Sequence, residues 1–154
     1  MNRARNTLEY TMDVTGTPEA VFPLLCPVRE YEWIDIWDCR LVFSESGKAE
    51  LGCVFQTWFP QDGPDDTWVV SRYEPSQAIE FVRINALRAI HYSIRLQGAA
   101  GGKSTWIWRQ TLTGLNDEGD ALVIAIKPEA FAEKMAILER KLNHYLETGH
   151  MLKA

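Results

Sequence analysis

The sequence predicts an α+β fold in which a curved antiparallel sheet of about seven strands wraps around a long C-terminal helix. After residue 36, segments of alternating apolar and polar residues follow one another with short turns between them, which predicts three successive β-hairpins. From Pro128 onward, apolar residues recur at three- and four-residue steps, which predicts an amphipathic helix. Because such a sheet buries one face, a single amphipathic helix can cover it.

Length and composition favour a single globular domain, spanning residues 1–154. The chain is 46% hydrophobic and 24% charged, and its formal net charge is −5, which argues against nucleic-acid binding. No apolar run is long enough for a membrane span, and the N-terminus does not resemble a secretory signal. Three cysteines without a C-x-x-C pair indicate neither a disulfide scaffold nor a zinc finger. We therefore expect a cytoplasmic protein that uses no cofactor and no metal.

The N-terminal quarter predicts one strand and one or two short helices. Leu8–Val14 alternates apolar and polar residues and is typical of a half-buried strand. Thr17 is placed to cap a helix over Pro18–Leu25, which internal proline keeps short. A second short helix is predicted within Val28–Ile34.

Two runs of alternating apolar residues around the loop 45–47 predict the first hairpin. Pairing Ser44 with Lys48 brings all the apolar residues to one face. This register sets Cys39 opposite Cys53 on the concave, buried face. The other predicted pairs are Phe43 with Ala49, Leu41 with Leu51 and Trp37 with Phe55.

Two further hairpins follow. Trp68–Glu74 and Ala78–Asn85 form the second, with Arg72 facing Glu80, but the pattern leaves its inward face open. Ala89–Gln97 and Lys103–Thr113 form the third. Closing the third hairpin at Gln97 and Lys103 sets Tyr92 opposite Trp108 and Ile94 opposite Trp106.

The C-terminal third predicts a turn and then the long helix. Residues 116–120 are typical of a turn, and residues 121–126 are too few to distinguish a strand from a helix. The final helix begins at Pro128, runs for about five turns and ends at Gly149. Phe131, Met135 and Leu138 lie on its apolar face.

This element order, together with three short motifs, resembles the SRPBCC superfamily, which has the START or Bet v 1 helix-grip fold. The motifs are Thr17-Pro-Glu-Ala-Val-Phe22, Tyr73-Glu-Pro75 and Gly101-Gly-Lys-Ser-Thr-Trp106. The superfamily includes polyketide cyclase-like proteins, transfer proteins and a branch that binds a chaperone. The resemblance implies a hydrophobic small molecule held between sheet and helix. It carries over no catalytic residue, because no catalytic motif is common to the superfamily.

The inward-facing residues are mostly aromatic, which favours a ligand cavity over a plain core. Tyr92 and Gln110 add polar groups to the same face. We predict that the ligand-binding residues are Trp37, Phe55, Phe59, Tyr92, Trp106, Trp108, Gln110, Phe131, Met135 and Leu138.

The sequence gives weaker evidence for acid–base or nucleophilic catalysis than for a ligand cavity. None of the three histidines falls on an inward face, which disfavours Ser-His or Cys-His chemistry. Cys26 could approach Cys39 and Cys53, but reduced thiols in the core are the simpler interpretation. Four carboxylates cluster near the second short helix, and one of them turned inward could act as a general base. They are Glu30, Glu32, Asp35 and Asp38.

Three functions fit these observations. The first, which we favour, is binding of a hydrophobic or aromatic small molecule in a cavity between sheet and C-terminal helix. The second is a cyclase- or hydrolase-like enzyme acting in that cavity, which requires a titratable side chain beside the ligand. The third is a protein-interaction module of the chaperone-binding kind, which requires a packed interior and an exposed apolar patch. The sequence leaves catalysis and homodimer formation open.

Overall fold

The structure, a computed structural model, describes residues 2–153 apart from the side chain of Asp62. One seven-stranded antiparallel sheet has the strand order β1-β7-β6-β5-β4-β3-β2. The strands are β1 (Arg5–Val14), β2 (Cys39–Phe43), β3 (Val54–Thr57), β4 (Asp66–Glu74), β5 (Ala78–Ile84), β6 (Arg88–Ala100) and β7 (Lys103–Gly114). The helices are α1 (Pro18–Val21), α2 (Asp117–Ala125) and α3 (Pro128–Thr148), with 3₁₀ turns at Phe22–Leu25, Glu30–Glu32 and Pro60–Asp62. The predicted fold class is confirmed.

The first helical segment is short, as predicted, and ends as a 3₁₀ turn. The Thr17 side chain accepts a hydrogen bond from the backbone N–H of Ala20 and caps α1. Because Pro23 lacks an N–H, the chain tightens into the 3₁₀ turn Phe22–Leu25 instead of continuing α1. Only Glu30–Glu32 is helical in the second predicted segment, again as a 3₁₀ turn.

The predicted register of the first hairpin is wrong. Cys39 pairs with Thr57 and Leu41 with Phe55, so Cys39 and Cys53 are not cross-strand partners. The Glu50 carboxylate accepts hydrogen bonds from the backbone N–H groups of residues 45 and 46, which folds residues 44–53 into a loop. Cys53 instead pairs through its carbonyl with the N–H of Val70 on β4.

The third hairpin is also shifted, by two residues. Tyr92 pairs with Gln110 and Ile94 with Trp108, because the turn is tighter than predicted and a bulge shifts the register between Leu96 and Gly98. Gly101 and Gly102 both have positive φ and make a two-residue turn between Ala100 and Lys103. The second hairpin contains the predicted pair of Arg72 and Glu80.

The segment predicted as a turn at residues 116–120 instead begins α2. The Asn116 side chain accepts a hydrogen bond from the backbone N–H of Gly119 and caps the helix, which continues to Ala125. The predicted C-terminal helix is confirmed, and it ends at Gly149, whose φ is 74°. In the described residues, no helix is both long and apolar enough to cross a bilayer.

α3 is held close to one edge of the sheet. Glu139 accepts hydrogen bonds from the Tyr10 hydroxyl and from the backbone N–H of Asp13, and Asn143 accepts one from the N–H of Thr15. These bonds fix α3 beside β1. Since the sheet curves, its strands on the far side remain apart from the helix, and a space opens between them.

Candidate functional site

A cavity of about 600 Å³ lies between the concave face of the sheet and the two C-terminal helices. The sheet contributes Leu8, Phe55, Trp68, Phe81, Arg83, Arg88, Ile90, Tyr92, Ile94, Trp108, Gln110 and Leu112. The helices and the two residues between them contribute Leu122, Ala125, Ile126, Lys127, Ala130, Phe131, Lys134, Met135, Ile137, Leu138 and Lys141. The segments between β1 and β4 contribute Glu30, Trp33, Ile34, Ile36, Trp37, Phe59 and Gln61.

The structure brings all but one of the predicted ligand-binding residues to this cavity; the exception is Trp106. Its indole N–H donates to the hydroxyl of Ser104 at 2.9 Å, and its ring packs 6.4 Å from that of Phe22. Trp106 is therefore a core residue beneath the 3₁₀ turn Phe22–Leu25. Trp108, two residues further along β7, lines the cavity.

Aromatic rings form a continuous wall across the sheet. Phe55 stacks on Trp68 with ring centroids 5.1 Å apart, and Phe81 meets Trp68 edge-on at 5.5 Å. Tyr92 lies 6.0 Å from Phe81 and 6.2 Å from Trp108. Sequence reasoning missed Trp68 and Phe81 because the second hairpin showed no clear inward face. The pairing of Arg72 with Glu80 could have identified Phe81. If Glu80 faces outward, alternation along the strand places Phe81 inward.

Three polar groups lie among these rings. The hydroxyl of Tyr92 interacts with the side chain of Gln110, its partner on β7. Burial, followed by the negative charge of Glu30, raises the pKa of Tyr92. The indole Nε1 of Trp108 is buried and has no hydrogen-bond partner among residues 2–153. A ligand acceptor atom at this point would satisfy that donor.

Glu30 is the carboxylate of the predicted acidic cluster that faces the cavity. Its side chain makes no hydrogen bond or ion pair within the described part of the chain, and burial raises its pKa to about 8. Glu32, by contrast, accepts hydrogen bonds from Arg29 and the Tyr145 hydroxyl, which hold its pKa below the usual value. Asp35 binds Lys141 at 2.5 Å, and Asp38 accepts from a tyrosine hydroxyl. Of the four carboxylates in the predicted cluster, Glu30 thus faces the cavity without a partner among the described residues, and the other three are paired.

A buried ion cluster at the ends of β4, β5 and β6 places two arginines in the cavity wall. Arg88 donates to both oxygens of Asp66, at 2.5 and 3.0 Å, and Arg83 donates to the same carboxylate at 2.8 and 2.9 Å. The Arg83 guanidinium also lies 4.4 Å from the centre of the Trp68 ring. No sequence pattern signalled this cluster, because strand pairing brings together groups that lie 17 and 22 residues apart.

The cavity opens between α3 and the segment that precedes β4. Two of its lining residues are large, apolar and exposed: Ile36 at 65% and Ile137 at 46%. Gln61, Lys127 and Lys134 are exposed lining residues as well. A ligand can therefore enter past an apolar rim flanked by two lysines.

The thiols and histidines lie outside the cavity. Cys26 accepts a hydrogen bond from the backbone N–H of Ala49, and Cys53 is fully buried, with burial the main cause that raises its pKa to about 11. All three cysteines are free. His91 pairs with Glu80 on the convex face, as its phase in the sequence predicted.

Comparison with known proteins rests on structure alone, since no protein-family profile and no curated protein matches the chain. DynU16, a protein of the dynemicin biosynthetic locus, matches with a TM-score of 0.62 and 19% identity over 94% of this chain. The chain spans about half of DynU16, 48% of its length. Ara h 8.0201 matches with a TM-score of 0.65 and 16% identity, over 94% of this chain and 99% of its own. Norcoclaurine synthase from Thalictrum flavum matches with a TM-score of 0.67 and 7% identity, over 96% and 89% of the two chains.

These similarities establish the fold. The seven-stranded curved sheet, the short helical segments after β1 and the long C-terminal helix give this chain the Bet v 1-like helix-grip fold. The helix-grip fold that the resemblance implied is confirmed. A shared fold supports many functions, so the function has to be argued from the cavity.

Proposed function

We propose that the protein binds a hydrophobic small molecule with an aromatic or alicyclic body in the cavity between the sheet and α3. One observation carries the proposal: the cavity of about 600 Å³ has a wall of stacked aromatic rings and only a few polar groups. Ligand sites in proteins usually enclose about 300–1,000 Å³ and combine an apolar lining with a few orienting polar atoms.

The polar groups define how a ligand would be oriented. Its apolar body would lie against Phe55, Trp68 and Phe81, where removal from water contributes about 25 cal/mol per Å² of buried apolar surface. Its polar atoms would meet the unpartnered Trp108 N–H and the pair of Tyr92 and Gln110. A cavity of this kind argues against the chaperone-binding alternative, which requires a packed interior.

Two tryptophans on β7 provide a matched test. Trp106 and Trp108 are both buried, but only Trp108 lines the cavity. We expect Trp106→Ala and Trp108→Ala each to lower the free energy of unfolding by about 3–5 kcal/mol. Only Trp108→Ala should also weaken binding of the uncharged probe N-phenyl-1-naphthylamine, by about tenfold or more. Titrations that follow probe fluorescence, made on folded protein, measure the affinity.

A less destabilising variant keeps the test possible if the tryptophan-to-alanine variants do not fold. Phe59 lines the cavity but is only partly buried, so Phe59→Ala should stay folded and weaken probe binding. Unchanged probe affinity in both Trp108→Ala and Phe59→Ala would contradict the proposed binding site.

Glu30 supports a second candidate function, catalysis of proton transfer. A carboxyl with a pKa of about 8 is matched to accept a proton near neutral pH. It would remove a proton from the carbon beside a ligand carbonyl, leave an enolate, and return a proton to that carbon. In D₂O this exchange replaces the methyl hydrogens of 2-acetonaphthone by deuterium, which NMR detects. Acceleration by the native chain that is lost in Glu30→Gln would support this function.

A further inference from the structure

We infer that the cavity selects ligands that carry a protonated amine on their apolar body, and that the Glu30 carboxylate binds this ammonium group. The inference rests on the proposed function and names the chemical class of the ligand.

The Glu30 carboxyl group is placed where a ligand in the cavity can reach it. It faces the cavity from the 3₁₀ turn Glu30–Glu32 and makes no hydrogen bond or ion pair with any described residue. The backbone carbonyl of Glu30, in contrast, accepts hydrogen bonds from the N–H groups of Trp33 and Ile34. The main chain thus holds the turn, and the side chain remains available to a ligand.

The cationic side chains that line the cavity are either bound to other carboxylates or exposed at its rim. Arg83 and Arg88 bind Asp66, and Lys141 binds Asp35. Lys127 and Lys134 are exposed at the rim. None of these cations lowers the pKa of Glu30, which burial raises to about 8. A ligand ammonium would supply the opposite charge that this carboxylate does not find in the described residues.

The aromatic side chains that line the cavity with Glu30 are suited to an organic cation. Trp33 and Trp37 lie three and seven residues after Glu30 in the sequence, and both line the same cavity. Aromatic faces attract organic cations, and a carboxylate among aromatic rings is suited to an alkylammonium group. Two titratable groups close enough to sense the charge of Glu30 are the Tyr92 hydroxyl and the Cys39 thiol, whose pKa values are raised mainly by burial and further by this negative charge. Both are neutral at neutral pH and do not compete for the carboxylate.

This geometry gives amine binding a definite pH dependence. An alkylamine is still protonated at about pH 8, whereas Glu30 in the empty cavity loses its proton only near that pH. Amine affinity should therefore rise between about pH 6 and pH 8, by up to about tenfold per pH unit. A neutral ligand should show no such rise.

Two naphthalene probes of nearly equal size test the inference. One is 1-naphthylmethylamine, which is cationic, and the other is 1-naphthalenemethanol, which is neutral. Calorimetric titrations at about pH 6 and about pH 8 should compare the native chain with Glu30→Gln and with the control Glu32→Gln. Glu32 lies on the same turn but is paired with Arg29 and Tyr145 and does not line the cavity.

We expect the native chain to prefer the amine by about tenfold or more at pH 8, and Glu32→Gln to keep that preference. Glu30→Gln should lose the preference and retain its affinity for the alcohol. Equal affinity of the native chain for both probes, or a preference that survives in Glu30→Gln, overturns the inference but leaves the proposed function standing. Failure of both probes to bind the native chain overturns both.

A measurement on the native chain tests the inference even if Glu30→Gln does not fold. Carbon NMR of the labelled glutamate carboxyls should show the pKa of Glu30 falling by at least about one unit when the amine binds. The alcohol should cause no such fall. An unchanged pKa with the amine bound overturns the inference.

Discussion

At the scale of single residues, Glu30 and Glu32 show how one turn of chain produces two different carboxylates. Both belong to the 3₁₀ turn Glu30–Glu32, but they project into different surroundings. Hydrogen bonds from Arg29 and Tyr145 lower the pKa of Glu32, and burial beside the cavity raises that of Glu30 to about 8. A group that is unfavourable to bury as an anion and has no partner of its own is a candidate for function.

The raised pKa of Glu30 predicts a pH-dependent stability. Between its ordinary value of 4.5 and about 8, the native state retains a proton that the unfolded state releases. The free energy of unfolding must therefore fall as pH rises through this range, by at most about 1.4 kcal/mol per pH unit. Glu30→Gln should remove this loss and be more stable than the native chain at about pH 8.5. Thermal unfolding from about pH 5 to pH 9 measures it.

Glu32→Gln is the matched control for that prediction. Because hydrogen bonds lower the pKa of Glu32, its contribution to stability is present at neutral pH and is lost in acid. This variant should be less stable than the native chain at neutral pH. Parallel stability curves for the native chain and Glu30→Gln would show that the Glu30 carboxyl is not buried as described.

At the scale of elements, α2 closes one end of the cavity and depends on a single glycine. Leu122, Ala125 and Ile126, at the end of α2 and just beyond it, line the cavity. In the first turn of the helix, Gly119 packs directly on the loop between β5 and β6. A Cβ atom at this position would lie 1.7 Å from the backbone oxygen of Leu87. The absence of a side chain therefore sets how closely α2 approaches the sheet.

Gly119→Ala should displace α2 and weaken the fold. We expect the free energy of unfolding to fall by about 1–3 kcal/mol or more, as for other overpacked sites, and the affinity for 1-naphthalenemethanol to fall with it. Gly98→Ala is the control, since a Cβ there meets nothing within 4 Å. Chemical denaturation measures both variants, and equal losses of stability would contradict the close packing of α2.

At the scale of the whole molecule, the cavity results from where α3 is attached. Hydrogen bonds from Tyr10, Asp13 and Thr15 hold α3 near β1, at one edge of a sheet that curves away from it. The aromatic wall on β3 to β7 is then covered only in part. Because ligand binding would bridge the two sides, the state of the cavity should affect the stability of the entire fold.

Occupation of the cavity should stabilise the native state, by an amount that rises with the logarithm of the ligand concentration once it exceeds the Kd. At a free concentration of 1-naphthalenemethanol about 100 times its Kd, the free energy of unfolding should rise by about 2.7 kcal/mol. Hydrogen exchange should slow in α3 and in the turn Glu30–Glu32, which line the cavity, and remain unchanged in the loop 44–53. Saturating ligand without a change in stability, or with protection confined to that loop, would contradict binding in the cavity.

Much of the fold and part of the site could be predicted from the sequence, because alternation has a period of two. At Cys39 and at Tyr92, the two wrong registers are shifted by an even number of residues. Cys39 moves from Cys53 to Thr57, and Tyr92 from Trp108 to Gln110. An even shift keeps a side chain on its face of the sheet. The inward positions of Phe55 and Trp108 were therefore correct although their partners were not. Beyond the bulge in β2, however, Phe43 pairs with Val54 instead of Ala49, which is an odd shift, and its side chain is 57% exposed.

The sequence by itself determined the order of the strands and of α3, most of the inward positions of two hairpins and the apolar stripe of α3, since these depend on local periodicity and turn residues. Only the tertiary structure decided which inward residues form a cavity. Trp106 and Trp108 share one face of β7, but the segment Phe22–Leu25 covers the first and leaves the second beside the cavity. Likewise, Glu30 and Glu32 differ only in what the folded chain packs against them, and Arg88 meets Asp66 only through strand pairing. Periodicity specifies a face, whereas position along that face depends on contacts between residues distant in sequence.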